Sequence, residues 1–222
     1  DYNEYESKPI VNTEKGLLTQ LGLSQDFDLL SIPILVSSQF AFGKTNYQGG
    51  IYDSYDSVRD YASQSENSMI DLSIISKIGM LFGSEMKYGI TFHRWNRRLE
   101  SYVENYSWWK LPLGISKSFE INDSINLGFE CGIDLMFNGY IDVPAEGYFV
   151  SQNGAHLGNR NGWHASIPIQ CNVNGIRIDI VTSYSHSEIG KSEAFILQSR
   201  NGNENLFEPS SRTDYFKIMF KI

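Results

Sequence analysis

The sequence has too few cysteines, charges and long apolar runs for several classes of protein. Its 222 residues include only two cysteines, which excludes the disulfide framework of small secreted domains. No run of about 18 apolar residues is present, so the sequence predicts no transmembrane helix. The net charge of −8 makes nucleic acid an unsuitable partner. A β-sheet protein is not excluded. Even a membrane-spanning strand needs only about ten residues of alternating hydrophobicity.

The clearest pattern lies in residues 108–143, where apolar residues occupy every second position. Two such runs, 109–115 and 125–137, are separated by Asn-Asp-Ser at 122–124, which is typical of a tight turn. Alternation with period two is typical of a β-strand with two unlike faces. This stretch therefore predicts a long hairpin with one apolar face and one face of small, amide and carboxylate side chains.

Similar alternation elsewhere gives eight strands within residues 28–222. Short turns and long polar connections, such as residues 44–67, follow one another along the chain, so all long connections fall at one end of the strands. An outer-membrane barrel sorts its loops in this way, with short turns in the periplasm and long loops outside the cell. The pattern favours an all-β fold, an antiparallel up-and-down transmembrane β-barrel of eight strands. Ten strands is the alternative, if residues 17–23 and 194–198 also form strands.

The first 27 residues differ from the rest of the chain. They are acidic, and two glycines weaken any assignment of a helix or strand at 13–23. We interpret residues 1–27 as an N-terminal extension, a candidate plug or periplasmic cap, and residues 28–222 as the barrel. No basic and apolar leader precedes Asp1, so we expect a mature form from which an export signal has been removed.

In such a barrel the apolar face contacts lipid and the polar face lines the lumen. Six positive and five negative side chains then point inward and nearly cancel, which predicts a closed lumen with a network of ion pairs rather than an ion-selective pore. The predicted network consists of Asp71, Lys77, Glu85, Lys87, Lys110, Glu130, Asp134, Arg177, Asp179, Lys217 and Lys221.

The four tryptophans lie near the long-loop ends of their strands, where an interfacial aromatic girdle belongs. They are Trp95, Trp108, Trp109 and Trp163. Only Trp109 and Trp163 share the apolar alternation, so the other two require a bulge or the start of a loop.

These architectural features resemble the small bacterial outer-membrane barrels of the OmpX, OmpW and opacity-protein kind. The resemblance covers about residues 28–222 and depends on alternation, turns such as 121–124, and the closing strand at 214–222. It implies a monomeric, porin-like protein of the Gram-negative cell surface, located in the outer membrane and in contact with its lipid and lipopolysaccharide.

Motifs for catalysis or cofactor binding are lacking. No nucleotide-binding loop, zinc motif, nucleophile elbow or Cys-x-x-Cys pair is present, so we predict no enzyme, cofactor or metal. The segment Ser-Tyr-Ser-His-Ser-Glu at 183–188 is similar to the lipid A deacylases in its residue types, but His186 and Ser187 point to opposite faces of a strand. Cys131 and Cys171 are interpreted as lipid-facing residues, with a cross-strand disulfide as the alternative.

Tyrosines with Ser, Asn and Gly in the first long loop are typical of adaptable recognition surfaces. They are Tyr47, Tyr52, Tyr55 and Tyr61. The sequence therefore predicts a non-enzymatic barrel whose extracellular loops contact a ligand or host surface. The alternatives are a narrow pore for small solutes, an outer-membrane lipid A hydrolase, and a soluble barrel of a surface lipoprotein.

Overall fold

A computed structural model describes residues 2–5, 10–52, 58–100, 102–147, 149–173, 176–200 and 202–221. For 2–5, 10–12, 49–52, 58–61, 81, 173, 176–177 and 221 the backbone alone is described. Apart from a 3-10 turn at Leu81–Gly83, the regular structure of the described residues is β-strand. The strands are β1 (Tyr2–Tyr5), β2 (Ile10–Gly16), β3 (Thr19–Leu29), β4 (Ile32–Tyr52), β5 (Val58–Gly79), β6 (Ser84–Arg98), β7 (Val103–Asn122), β8 (Ile125–Val143), β9 (Asn153–His156), β10 (Asn161–Val173), β11 (Ile176–Ile189), β12 (Phe195–Ser199), β13 (Gly202–Leu206) and β14 (Ser210–Lys221).

The long strands form one antiparallel, up-and-down sheet in which chain neighbours pair. The hydrogen-bonded order is β3, β4, β5, β6, β7, β8, β10, β11, β14, and β12 and β13 form a separate hairpin. Side chains on one face meet across strands that are not neighbours: the Tyr215 hydroxyl lies 3.4 Å from Met69 Sδ, and Lys217 donates to Gln39 at 3.2 Å. The sheet therefore curls. The all-β, antiparallel, up-and-down fold predicted from the alternation is confirmed.

The count of eight strands differs from the structure. Among the described residues, nine strands are 11 to 22 residues long. The additional strand is β3, which pairs with β4 from Thr19↔Phe42 to Leu29↔Ile32. Residues 2–5 and 10–16 are also strands, and β2 pairs with the far half of β4. Most of the segment interpreted as an extension thus lies in the sheet, because β2 and β3 hydrogen-bond to β4, and β1 hydrogen-bonds to β14 and β2.

Two strands continue through the segment interpreted as a long loop. Residues 44–52 of β4 pair with residues 58–66 of β5 in unbroken register. Most of these residues are polar and lack the apolar alternation, so the pattern that predicts a strand is missing here. Both strands extend past the part of the sheet that carries apolar side chains. We call the end with the connections at 53–57, 99–102, 144–160 and 190–209 the loop end, and the opposite end the turn end.

Tight turns close the turn end. The Ser124 amide donates to Asn122 Oδ1 at 2.9 Å, which fixes the turn between β7 and β8 as expected from Asn-Asp-Ser. Between β3 and β4, Leu30 and Ser31 adopt φ values of +50° and +66°. Two successive positive φ values are typical of the type I′ turn, whose twist matches that of the flanking strands.

The two faces of the curled sheet differ in chemistry. On the convex face, apolar side chains of every long strand from β3 to β8 and of β10 and β14 are exposed. We call this set the apolar belt. Its members include Leu21, Leu23, Phe27, Val36, Phe40, Ile70, Leu72, Ile74, Met86, Leu111, Leu113, Ile115, Phe119, Leu127, Phe129, Ile133, Ile167, Phe216, Ile218 and Phe220. The concave face carries the charged and amide side chains between them, as expected for the 108–143 hairpin.

Gly128 marks a close approach on the concave face, where β8 meets β10. A Cβ added at Gly128 would lie 2.6 Å from Cγ of the Pro168 ring. Gly128→Ala is therefore expected to lower the free energy of unfolding by about 1–3 kcal/mol, the usual cost of overpacking. Urea unfolding measures this. Gly79→Ala is the control, because no described atom lies within 4 Å of the added methyl group; equal losses in both variants would contradict the close contact.

The two cysteines lie on paired strands but not opposite each other. Cys131 of β8 faces Ala165 of β10, whereas Cys171 faces Ile125. Both thiols are free. The disulfide alternative is therefore wrong for this register, since residues six positions apart along a strand cannot meet the geometry of a disulfide.

Candidate functional site

Charged side chains from three strands meet on the concave face at the level of the apolar belt. Lys87 of β6 forms an ion pair with Glu130 of β8, reaching across β7. His164 of β10 lies between two carboxylates, with Nε2 3.9 Å from Glu130 and Nδ1 3.4 Å from Asp134. Alternation in each strand positions these side chains, since every second residue points inward. The result is a polar cluster of side chains from β6, β8 and β10 that reaches across the intervening strand β7.

A second carboxylate and histidine pair lies next to it. His93 Nδ1 is 2.7 Å from Asp71 Oδ1, and the two residues are direct partners in the β5–β6 ladder. The His93 ring stacks on Trp108 at 4.2 Å between centroids. Lys110 lies close enough for its charge to act on both Asp71 and Asp134. We call Asp71, Lys87, His93, Lys110, Glu130, Asp134 and His164 the concave cluster.

The structure distributes the other residues of the predicted network along the concave face. Asp179 accepts a hydrogen bond from Gln170 at 3.2 Å, and Lys217 donates to Gln39. Glu85 lies at the turn end, where Ser116 donates to it at 3.4 Å. Lys77 is the ladder partner of Lys87. The remaining two side chains, those of Arg177 and Lys221, lie outside the described residues. His93 and His164, which lie beside three of the carboxylates, were not part of the predicted network.

Towards the loop end, the concave side becomes a packed apolar interior. Large apolar side chains on this part of the face fill the space that the curled sheet encloses, and so they close it. The buried cluster consists of Met69, Trp95, Tyr106, Trp108, Met136, Ile141, Val143, Phe149, Ala155, Leu157, Ile189, Phe195 and Leu197. Connections after β8 and β11 supply Phe149, Leu157, Phe195 and Leu197, so these loops cover the interior.

The tryptophans divide between the two faces. Trp95 and Trp108 are 4% and 7% exposed and lie in this interior, so they cannot form part of an outward girdle. Trp163 is 46% exposed on the convex face, where it packs 5.1 Å from Tyr184. Trp109 is half-buried and contacts Phe92. The inward alternation of Trp95 and Trp108 is visible in the sequence, and the register irregularity between Ser107 and Trp109 leaves Trp108 buried.

A buried arginine joins several strands near the loop end. Arg97 of β6 is 1% exposed, and its guanidinium lies 3.0 Å from carboxylate oxygens of both Glu14 and Glu104. The Tyr106 hydroxyl bridges Glu104 at 3.0 Å and Glu208 at 2.9 Å. We call these five residues the Arg97 cluster. Glu14 belongs to β2, so the cluster ties the N-terminal segment to the β6–β7 hairpin and to the connection before β14.

Aromatic rings enclose the guanidinium. Its Cζ lies 5.2 Å from the ring centroid of Tyr47 and 5.7 Å from that of Trp95. Tyr47 is 7% exposed and points inward, so its ring cannot contribute to an outward recognition surface. This corrects the interpretation of Tyr47 as a loop residue: its segment is strand. Tyr55 and the side chains of Tyr52 and Tyr61 lie outside the described residues.

Glu14 makes the Arg97 cluster sensitive to acid. Burial alone would raise the pKa of Glu14, but Arg97 and hydrogen bonds from Ser65, Thr45 and Asn67 outweigh it and hold the pKa below its usual value. A carboxyl group with a lowered pKa in the folded state stabilises above its unfolded pKa of about 4.3, and this contribution is lost as the pH falls through the folded value.

We therefore expect Glu14→Gln to reduce the loss of stability that the protein shows on acidification below about pH 4.3. Thermal unfolding midpoints measured between pH 7 and pH 3 test this. Glu66→Gln is the control, because Glu66 forms an exposed ion pair with Lys44 and such pairs contribute little. Identical acid profiles for the wild type and Glu14→Gln would contradict the assignment.

The segment at 183–188 does not assemble a serine nucleophile. His186 Nδ1 lies 2.7 Å from Asp214 Oδ1, and its other nitrogen lies 3.7 Å from Glu188. Ser185 and Ser187 alternate with His186 along β11 and therefore point to the other face. A serine hydrolase needs its hydroxyl within hydrogen-bond reach of the histidine. This arrangement supplies an oriented histidine on the convex face without the serine.

No protein-family model matches the chain, and a search of curated proteins finds no match. In the described part of the chain, no group of three or more His, Cys, Asp or Glu side chains is arranged to hold a metal ion. No helix among the described residues is long and apolar enough to cross a membrane.

Proposed function

We propose that this chain forms a non-enzymatic β-barrel in the bacterial outer membrane, with a closed lumen and a loop end that faces the cell exterior. The observation that carries the proposal is the combination of the apolar belt on the convex face with the concave cluster on the other. In water this distribution is unfavourable, since monomeric soluble proteins rarely expose apolar patches beyond a few hundred Å². In a bilayer the same distribution is the favourable one.

The length of the strands supports the orientation. A strand needs about 9–11 residues to cross the hydrocarbon when tilted. β4 and β5 have 21 and 22 residues, and their loop-end halves carry polar convex faces. These halves then project beyond the membrane with the connections after β8 and β11. Function on a closed barrel belongs to such projecting segments, because a rigid scaffold positions them for contact with a ligand.

The packed interior supports a closed lumen rather than a pore. Tyr106 and Leu197 are fully buried, and Trp95 and Trp108 fill the space between the walls. An ion that enters at the turn end meets the concave cluster and then a barrier of apolar side chains. These side chains cannot replace the water molecules that hydrate the ion. We expect no open-channel steps when the purified protein is incorporated in planar bilayers. Regular conductance steps would contradict a closed lumen and favour the pore.

Membrane extraction tests the location. The protein should stay in the membrane fraction after carbonate washing, should require detergent for release, and should show heat-modifiable migration on a gel as folded barrels do. Recovery as a detergent-free soluble monomer would contradict the proposal and favour the surface-lipoprotein alternative.

A further inference from the structure

In the part of the chain that the structure describes, the curled sheet has two edges that face each other without a strand between them over most of their length. Among the described residues, β3 pairs with β4 alone, and β14 from Asp214 to Lys221 pairs with β11 alone. At the loop end the space between the two edges is occupied by β1. There Tyr2–Tyr5 pairs with residues 210–213 of β14 on one side and with β2 on the other.

At the Tyr2 end of β1, the gap has the width of one strand. Paired strands lie about 4.8 Å apart, so the two strands that flank β1 are separated by about 10 Å. Side chains along both edges are more exposed than elsewhere in the apolar belt. Phe216 and Phe220 are 69% exposed and Leu23 is 82% exposed, compared with 49% for Phe129 in the middle of the sheet.

The two edges cannot complete the antiparallel sheet by pairing with each other. β14 and β3 both run from the loop end to the turn end, since β14 is antiparallel to β1, β1 to β2, and β2 and β3 both to β4. Direct contact would make a parallel pair in an otherwise antiparallel sheet. Two copies with the same membrane orientation would meet in the same parallel way. A strand between the edges that runs from the turn end to the loop end would be antiparallel to both.

We propose that a tenth strand fills this gap and is formed by the polypeptide that leads into β1 from its amino-terminal side. β1 runs from Tyr2 to Tyr5 towards the loop end, so its backward extension passes between Asp214–Lys221 and β3. On this proposal the folded chain includes residues ahead of Asp1. Ten strands satisfy the even strand number of bacterial outer-membrane barrels.

The register of β1 defines the chemistry of the added strand. Because Tyr2 faces Thr213, the second, fourth and sixth residues ahead of Asp1 fall opposite Phe216, Ile218 and Phe220. These three positions face the convex side and should be apolar. The alternate positions face Lys217 and Gln39, which already meet across the gap, so small or polar side chains fit there.

The inference rests on the proposed membrane location, because unpaired backbone groups are strongly disfavoured only where water is absent. Site-specific photo-cross-linking tests it in protein produced from its natural gene in its own membranes. Benzoylphenylalanine replaces Phe220 on one edge and Leu23 on the other, and mass spectrometry identifies the attached peptide. Ile133 is the control, since β8 has paired neighbours on both sides.

Both edge positions are expected to capture the peptide directly ahead of Asp1, whereas the Ile133 control captures β7 or β10. Capture of β14 from position 23 would show direct closure and overturn the proposal. So would capture of a second copy, of another polypeptide, or of nothing while the control reacts. Carbonate extraction of the same samples reports on the membrane location separately, so failure of one proposal is distinguishable from failure of the other.

Discussion

Replacing Leu113 with arginine is expected to block assembly of the protein in the outer membrane. Leu113 lies on the convex face between Tyr88 of β6 and Ile133 of β8, and its side chain is 41% exposed. An arginine on the lipid face of a barrel costs about 2–4 kcal/mol near the middle of the bilayer. The amount of heat-modifiable protein in the membrane fraction measures the effect, which should be a loss of most of the folded form.

The same substitution separates the membrane account from a soluble one. On a water-exposed surface, replacing a leucine with arginine usually changes stability by no more than about 0.5 kcal/mol. Gln64→Arg is the matched control, because Gln64 lies on the convex face of β5 beyond the apolar belt and is exposed. Normal assembly of both variants would show that the belt meets water.

Arg97→Met is expected to give the largest loss of stability among the polar substitutions. It leaves Glu14 and Glu104 buried without the guanidinium that lies 3.0 Å from each of them. Breaking a buried ion pair by removing one partner costs about 3–5 kcal/mol. Urea unfolding in detergent micelles measures the change. Since Glu14 belongs to β2, limited proteolysis should also release the N-terminal segment more rapidly.

The neighbouring residue provides the control. Arg98 forms an ion pair with Glu146 at 2.6 Å, but both side chains are 49% exposed. Arg98→Met should therefore change the unfolding free energy by no more than about 1 kcal/mol. Arg97→Lys should retain little of the lost stability, because a lysine cannot reach two carboxylates and stack between two rings at once. Equal effects of Arg97→Met and Arg98→Met would contradict a structural role for the Arg97 cluster.

Alternation in the sequence was sufficient to predict the architecture where the sheet has two chemically unlike faces. It placed the hairpin at 108–143 correctly, with Leu113 on the convex face and Glu130 on the concave face. The signal failed where the convex face is polar. Residues 44–52 and 58–66 pair as strands, but beyond the apolar belt no alternation distinguishes them from a loop.

The alternation of β3 is visible in the sequence but weaker than that of the other long strands. Leu21, Leu23, Phe27 and Leu29 alternate with Gly22, Ser24, Asp26 and Asp28, which is the belt pattern. Two glycines and the acidic character of the segment obscure this pattern. The pairing with β4 overrides these local preferences, because strand propensity depends largely on the neighbouring strands.

The Arg97 cluster could not be predicted from the sequence. Its members come from β2, β6, β7 and the connection before β14, and only the curl of the sheet brings Glu14 and Glu208 to the same place. Alternation assigns a side chain to a face but not to a partner several strands away. The concave cluster could be predicted in part. Alternation shows that its carboxylates point inward, whereas the pairing of Asp71 with His93 depends on the register between β5 and β6.

A spin label on Cys131 provides the most direct test of the central claim, that the convex face contacts lipid. Cys131 is exposed on β8 within the apolar belt, and Cys171→Ser leaves it as the single attachment site. In membranes the label should collide with oxygen and not with a water-soluble nickel chelate, whereas a label at Gln64→Cys, with both native cysteines replaced by serine, should collide with the chelate. Free access of the chelate to the label on Cys131 would contradict the account.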